Sequence, residues 1–208
     1  MEHTCPVMTD GAHAETLLQL VREKGLVRSS DLDSAGVPRV YLSRLTAAGR
    51  LERAGRGLYR IPGSPLSEHD TLAFVATRVP QAVFCLLTAL HVHELITEPP
   101  GAVWIAMPRG SHAPRLGSPP IKMVQFSGAG FAEGIERLPC DQIELRVYGV
   151  AKTIADCFKH RKKIGLDVAI DALRDALAGE RVTQEELWSY AKLSRVDSVM
   201  RPYIEAMA

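Results

Sequence analysis

The chain begins with short amphipathic segments that are separated by glycines. Apolar residues recur every three to four positions over 14–24 and 38–48, which predicts two helices. A short helix is predicted between them. It is expected to begin at Ser29 or Ser30, because serine is a good N-terminal capping residue, and to end at Gly36. The first fifty residues are therefore expected to form three helices, the last of which opens with Pro38 in its first turn.

A glycine-centred turn between two short apolar segments follows these helices. Leu51–Ala54 and Leu58–Ile61 have the length of short strands, and Gly55-Arg56-Gly57 joins them, which predicts a hairpin. The order helix, short helix, helix and hairpin is the layout of a winged helix-turn-helix, which we place at residues 12–62. Pro62-Gly63-Ser64-Pro65 is typical of a linker.

The remaining residues, 66–208, are expected to form a second domain that mixes helices and strands. The pattern predicts strands over 103–107, 121–126 and 143–148, and helices over 68–78, 82–95, 150–162, 167–177, 183–191 and 196–207. Thr183 and Glu186 fit a capping box at the start of one of these helices. The fold class is therefore α+β, with an N-terminal winged helix-turn-helix and a mixed α/β C-terminal domain that holds a small sheet and several helices.

Charge changes the interpretation of the N-terminal segment. The whole chain carries a formal net charge of +1, but Gly25–Ile61 holds seven arginines against three acidic residues. Arginine makes bidentate contacts with phosphate and guanine, which lysine does not. An ordinary solvated surface explains the same charges, so charge alone leaves both interpretations open.

The helix over 38–48 has two different sides. Tyr41, Leu42 and Leu45 fall on one side, and small or cationic residues fall on the other, as a recognition helix in a DNA major groove requires. With the hairpin arginines and two serines that can contact phosphate, the predicted DNA-binding surface consists of Ser29, Ser30, Arg39, Val40, Ser43, Arg44, Arg50, Arg53, Arg56 and Arg60. Winged helices also serve as protein-interaction modules, and that alternative stays open.

Several other kinds of site find no support in the sequence. The four cysteines form no C-x-x-C pair, and His91 and His93 would point about 200° apart on a helix, so we expect no metal site and a packed helix-end histidine. No catalytic motif and no cofactor motif are found, and we expect no enzyme activity. No secretion signal and no apolar run of about 18 residues is visible, so we expect a cytoplasmic protein without a membrane partner.

One polar group in the second domain is a candidate functional patch: Lys152, Asp156, Arg161 and Lys163. Lys152 and Asp156 are spaced for an ion pair on one helix. Arg161 falls on the apolar side of that helix and is expected to be buried beside a carboxylate. The group is either an anion-binding patch or a solvated face with salt bridges.

The same residues carry a family resemblance. Tyr41-Leu42-Ser43-Arg44-Leu45, followed by Gly55-Arg56-Gly57-Leu58-Tyr59, resembles the N-terminal domain of AbiEi-type antitoxins. Lys152-Thr153-Ile154-Ala155-Asp156-Cys157-Phe158 and Val199-Met200-Arg201-Pro202-Tyr203 are similar to later segments of that family.

The resemblance implies the antitoxin of a type IV toxin–antitoxin system. Such a protein binds inverted repeats of double-stranded DNA in its own promoter and represses it. Its C-terminal domain opposes a nucleotidyltransferase-like toxin, generally without a stable complex.

Two alternatives remain: a regulator that senses a small ligand, and an enzyme acting on a nucleotide or nucleic acid held near Lys152, Arg161 and Lys163.

Overall fold

The computed structural model describes residues 10–55, 57–63, 68–140 and 143–207. The chain divides into two compact units between Arg78 and Val79. Both units contain helices and strands, which confirms the mixed α+β class. None of the described helices combines the length and the apolar character needed to cross a membrane.

The N-terminal unit holds the predicted helices and hairpin and one further strand. Its described elements are α1 (Asp10–Lys24), β1 (Val27–Arg28), α2 (Asp31–Ser34), α3 (Val40–Ala47), β2 (Glu52–Gly55), β3 (Leu58–Arg60) and α4 (Glu68–Arg78). β3 lies between β1 and β2 in an antiparallel sheet. The pattern does not predict β1, because two residues are too few to show an alternation of apolar and polar positions.

The core of this unit is formed by the apolar sides of α1 and α3. Leu17 and Val21 of α1 are buried in one cluster with Leu42 and Leu45 of α3. α3 begins two residues later than predicted, because the amides of the first turn bond to carbonyls three rather than four residues back. It ends at Ala47, and Gly49 then adopts a φ of 68° and turns the chain towards β2.

Helix α4 belongs to the N-terminal unit, although the sequence pattern assigns it to the second domain. Its Phe74 is buried, and the ring centre lies 4.6 Å from the guanidinium carbon of Arg60 on β3. A Cβ atom at Gly55 would overlap the γ-methyl group of Thr77, so only glycine lets α4 approach β2 this closely. The boundary therefore lies after Arg78 and not at residues 62–66.

The C-terminal unit combines a five-stranded sheet with helices. Its described elements are β4 (Val83–Phe84), α5 (Leu86–Val92), β5 (Val103–Pro108), β6 (Ile121–Phe126), α6 (Ala129–Ala132), β7 (Ile135–Cys140), β8 (Ile143–Tyr148), α7 (Val150–Lys159), α8 (Arg161–Ile164), α9 (Leu166–Ala178), α10 (Gln184–Ser194) and α11 (Asp197–Ala206). The strand order is β6-β5-β4-β8-β7, in which β5 pairs parallel with β6, and β4 pairs parallel with β8. The other two pairings are antiparallel.

Two strands of this sheet differ from the prediction. The segment 82–95, predicted as one helix, begins with β4, whose buried residues pair with β5 on one side and β8 on the other. A short apolar run fits a buried strand and a buried helix equally well, so the pattern could not separate them. β7 was not predicted, since its apolar and polar residues do not alternate. The capping box of Thr183 and Glu186 is confirmed at the start of α10.

Helix α7 is the centre of the C-terminal core. Its residues 151–158 are all buried, and it packs against α5, α9 and α10. Cys157 and Ile154 have no exposed surface and belong to this core. The predicted helix over 150–162 is divided after Lys159 into α7 and α8.

Candidate nucleic-acid interface

Helix α3 separates its residues into a buried and an exposed side. Tyr41, Leu42 and Leu45 are buried against the N-terminal core. The opposite side, which we call the outer face of α3, consists of Arg39, Val40, Ser43, Arg44 and Ala47, all exposed. Half of the surface of Val40 is exposed, which is unusual for a large apolar residue and is suited to contact with a thymine methyl group.

Two arginines give the outer face of α3 its charge. Arg39 forms an ion pair of 2.6 Å with Asp33, and both side chains are well exposed. The hydrogen bond from Arg39 and the negative charge of Asp33 raise the pKa of the arginine, so it stays cationic. The guanidinium carbon of Arg44 lies 5.3 Å from the ring centre of Tyr41. Exposed ion pairs contribute little to stability, so a phosphate or a base edge can replace Asp33 as the partner of Arg39.

The two predicted serines have different environments. The amide of Ser29 donates to the carbonyl oxygen of Gly57 at 3.0 Å, and its hydroxyl lies 3.4 Å from the same oxygen. That amide is therefore already occupied, and Ser29 joins the start of α2 to the hairpin. Ser30 is exposed at the N-cap position of α2 without a capping hydrogen bond from its side chain.

The hairpin contributes fewer surface arginines than the sequence predicts. Arg50 and Arg53 are exposed, and Nε of Arg53 donates to the carbonyl oxygen of Gly55 at 3.1 Å. Arg56, predicted at the tip of the hairpin, lies outside the described residues. Among the residues that the structure describes, the exposed arginines of this surface are Arg39, Arg44, Arg50 and Arg53.

Arg60 does not lie on this surface, and its prediction as a DNA contact is wrong. Its side chain is 8% exposed, pairs with Glu52 and stacks on the ring of Phe74. A guanidinium held on an aromatic face and paired with a carboxylate acts as packing between β3 and α4. The error has a physical cause: Phe74 comes from α4, which the sequence pattern placed in the other domain.

Arg78 is a supporting residue that the sequence analysis missed. From the end of α4 its guanidinium donates to the carbonyl oxygens of Ala54 and Arg53, the second at 2.8 Å, and its carbon lies 5.6 Å from the ring centre of Phe74. It therefore attaches α4 to the strand that carries Arg53. The spacing of Phe74 and Arg78, one helical turn apart, is the only sequence signal for this contact.

Replacing Arg60 by leucine separates packing from DNA contact. We expect Arg60→Leu to lower the free energy of unfolding by about 1–2 kcal/mol, because the stacking on Phe74 and the pair with Glu52 are lost. Affinity for DNA, measured by fluorescence anisotropy well below the unfolding temperature, should stay within about twofold of wild type. A drop of about tenfold or more in a fully folded variant would instead place Arg60 in contact with DNA.

The predicted patch in the C-terminal unit is divided between core and surface. Lys152 and Asp156 form an ion pair in the core with no exposed surface, whereas Lys163 is exposed. Arg161 is half-buried and donates to the carbonyl oxygen of Phe158 at 2.9 Å, not to a carboxylate. The four residues therefore do not form one surface, and the expectation of a carboxylate beside Arg161 is wrong.

The buried pair has a third member that the sequence could not reveal. The hydroxyl of Ser194 donates to Oδ1 of Asp156 at 2.8 Å, across 38 residues of sequence. Burial raises the pKa of Asp156, while the charge and the hydrogen bond of Lys152 and the hydrogen bond of Ser194 lower it. Burial of this carboxylate therefore costs free energy, and its interactions with Lys152 and Ser194 offset that cost.

The two helical histidines behave as packing residues. His93 is buried, and its Nε2 lies 2.8 Å from the carbonyl oxygen of Tyr148. Nδ1 of His91 lies 3.3 Å from the carbonyl oxygen of Ile96. Among the residues that the structure describes, no group of three or more His, Cys, Asp or Glu side chains is arranged to hold a metal ion.

An exposed arginine-bearing helix face, built on an apolar core beside a small hairpin sheet, is an arrangement suited to nucleic-acid recognition. Comparison with known families assigns the same segment: residues 15–62 match the family model described as "Transcriptional regulator, AbiEi antitoxin". The family resemblance seen in the sequence is confirmed over this segment, which is 48 of the 208 residues.

Structural comparison extends beyond this segment but shows the fold alone. The chain is similar to the crystal structure of the RV2827C protein from Mycobacterium tuberculosis, with a TM-score of 0.54 and 16% sequence identity. The similarity covers 86% of this chain and 71% of that protein. No curated protein matches the sequence.

Proposed function

We propose that the protein is a transcription regulator that binds double-stranded DNA through a winged helix-turn-helix at its N-terminus. The observation that carries this proposal is the outer face of α3, where Arg39 and Arg44 flank the small Ser43 and the exposed Val40. In this arrangement α2 and α3 form the helix-turn-helix, and β2 and β3 form the wing. The match of residues 15–62 to a family of transcriptional regulators supports it.

The dimensions of α3 suit the major groove. With its side chains an α-helix is about 10–12 Å across, and the groove is about 12 Å wide, so α3 can enter it with its outer face towards the bases. Small side chains at Ser43 and Ala47 let the helix lie close to the base edges. Arg39, at the N-terminal end of α3, is placed where this motif makes base contacts.

The remaining arginines of the surface have a different role. Arg50 follows the end of α3, and Arg53 lies on β2, the first strand of the wing. In this motif, side chains at such positions contact the phosphate backbone. Contacts of this kind bind all sequences alike and weaken as salt rises, because they release condensed counterions. Arg44, at the edge of the outer face, can reach either a base edge or a phosphate.

The biological role that we propose is that of an antitoxin of a type IV toxin–antitoxin system. The regulator would bind inverted repeats in its own promoter and repress transcription. Its C-terminal unit would oppose a nucleotidyltransferase-like toxin without forming a stable complex, as a cytoplasmic protein with no enzyme activity of its own. The description of the matching family as an antitoxin family supports this role.

Binding to the promoter is the experiment that tests the proposal. A fluorescent duplex of about 40 base pairs from directly upstream of the gene is titrated with protein and compared with a shuffled duplex of the same composition. We expect the promoter duplex to bind about 1000-fold more tightly at about 0.15 M salt, and both affinities to fall as salt rises. Equal affinity for the two duplexes would contradict a sequence-specific regulator.

The antitoxin role is tested separately in cells. The protein is co-expressed with the product of the neighbouring gene, and growth is compared with expression of that product alone. Restored growth supports the antitoxin role, and continued arrest with both proteins present contradicts it while leaving DNA binding intact.

A further inference from the structure

An open cleft in the C-terminal unit collects four cationic side chains. Its volume is about 750 Å³, and Arg109, Lys159, Arg161 and Arg195 line it together with the polar side chains of Gln125 and Ser127. None of the described residues that line the cleft carries a carboxylate. Of these four, only Arg161 belongs to the patch expected from the sequence. Lys159 lies two residues before it, whereas Arg109 and Arg195 come from distant parts of the chain.

The sheet and three helices bring these cations together. β5 and β6 run parallel, and Arg109 and Ser127 directly follow their carboxyl ends. The amide of Arg109 donates to the carbonyl oxygen of Phe126 at 2.8 Å, which fixes the start of the loop after β5. Lys159 ends α7, and Arg195 follows α10. In sheets with parallel strands, ligands bind in the crevice outside the carboxyl ends of the strands.

The positive charge of the cleft is not balanced by ion pairs within the part of the chain that the structure describes. Within the described residues, no carboxylate lies at ion-pair distance from any of the four cations. Asp156, which accepts a hydrogen bond from the cleft residue Ser194, is already paired with Lys152. Like charges gathered in a partly enclosed space focus a positive potential, which attracts anions.

The positive potential of the cleft also acts on His160, which lies between Lys159 and Arg161 in the sequence. Burial and the charges of Lys163, Lys159 and Lys152 lower its pKa to about 4, and its ring packs edge-on against Phe126 at 5.6 Å. Nε2 of this ring is buried without a hydrogen-bond partner in the described structure. A neutral histidine therefore lies among several cations.

Contacts with the helix ends use only part of the donor capacity of these side chains. Arg161 donates one N–H to the carbonyl oxygen of Phe158 at the end of α7, but a guanidinium has five N–H donors. Arg195 adopts a φ of 57° at a position where glycine is the usual residue.

We propose that the cleft formed by Arg109, Lys159, Arg161 and Arg195 binds a small organic di- or triphosphate, such as a nucleotide. Four cations match the three to four negative charges of such a chain, and arginine pairs with phosphate oxygens in a bidentate manner. A volume of about 750 Å³ is larger than two or three phosphate groups need and leaves room for the organic part. The protein would then respond to a metabolite in addition to binding DNA.

The test uses two matched pairs of substitutions in the full chain. Arg109→Gln/Lys159→Gln removes one arginine and one lysine from the cleft, and Arg115→Gln/Lys192→Gln removes one of each from exposed positions that do not line it. All four side chains are exposed, so both variants should keep the melting temperature of the wild type. Isothermal titration calorimetry with ATP and with pyrophosphate measures the affinities.

We expect saturable binding of ATP and pyrophosphate to the wild type, and an increase in Kd of roughly tenfold or more in the cleft variant. The control variant should bind within about twofold of the wild type. No saturable binding to the wild type would overturn the proposal, as would equal losses in both variants. Binding of a single-stranded oligonucleotide of about 12 nucleotides without binding of ATP or pyrophosphate would overturn it as well. None of these outcomes alters the promoter-binding test, so the two proposals fail independently.

Discussion

Asp156→Ala is expected to lower the free energy of unfolding of the C-terminal unit by about 3–5 kcal/mol. The substitution leaves the ammonium group of Lys152 fully buried in the core without its carboxylate, and it removes the acceptor of the Ser194 hydroxyl. A buried charge that loses its partner cannot be rehydrated without opening the core around α7. Urea unfolding followed by circular dichroism measures the loss, with the transitions of the two units fitted separately.

Two further variants separate the buried charge from other effects. Asp171→Ala breaks the exposed ion pair with Arg174, and it should change stability by less than about 1 kcal/mol. Lys152→Met/Asp156→Ala removes both buried charges, and it should recover a large part of the loss, since an apolar replacement of a buried pair is often tolerated. If Asp156→Ala cost no more than Asp171→Ala, the carboxylate would not be the buried partner of Lys152.

Ser43→Glu is expected to lower the affinity for promoter DNA by about 100-fold, or about 2.7 kcal/mol. Ser43 lies in the middle of the outer face of α3, where the helix has to come close to the bases. A glutamate at this position adds bulk and places a negative charge beside the phosphates, and like charges brought together in an interface cost several kcal/mol. Because the serine is exposed, stability should not change. Fluorescence anisotropy with the promoter duplex measures the affinity.

Local signals explain why the N-terminal helices and hairpin could be predicted. Most of these elements are short, and a glycine or proline marks at least one end, so the pattern fixes most of their bounds to within two residues. The exception is α1, which begins at Asp10, four residues before its predicted start. The two sides of α3 follow from helical geometry, and the structure places Tyr41, Leu42 and Leu45 inside, as the pattern requires. The same reasoning assigns Arg39, Ser43 and Arg44 to the outside.

Contacts between distant parts of the chain could not be predicted. Arginine usually lies on the surface of a protein, and only the contact of Arg60 with Phe74 on α4 shows that this one is buried. The pair of Lys152 and Asp156 is predictable from its spacing, but its burial depends on α10, which contributes Ser194. Arg109 and Arg195 are separated by more than eighty residues, and the fold alone brings them to one cleft.

The boundary after Arg78 has a consequence for experiments on the isolated N-terminal unit. A fragment that ends at residue 62 lacks α4 and leaves Arg60 without Phe74, so the hairpin would lose its packing. A fragment that extends through Arg78 retains these contacts. Experiments on DNA binding are best made with the full chain or with the longer fragment.

The claim that the outer face of α3 contacts DNA is tested most directly by two variants with the same change of side chain. Ser43→Glu and Ser189→Glu both place a glutamate at an exposed helical position, the second on α10 of the other unit. Both are titrated against the promoter duplex at the same salt concentration as the wild type. We expect a loss of about 100-fold for Ser43→Glu and a change within about twofold for Ser189→Glu. Wild-type affinity in a folded Ser43→Glu variant would show that this face of α3 does not meet the duplex.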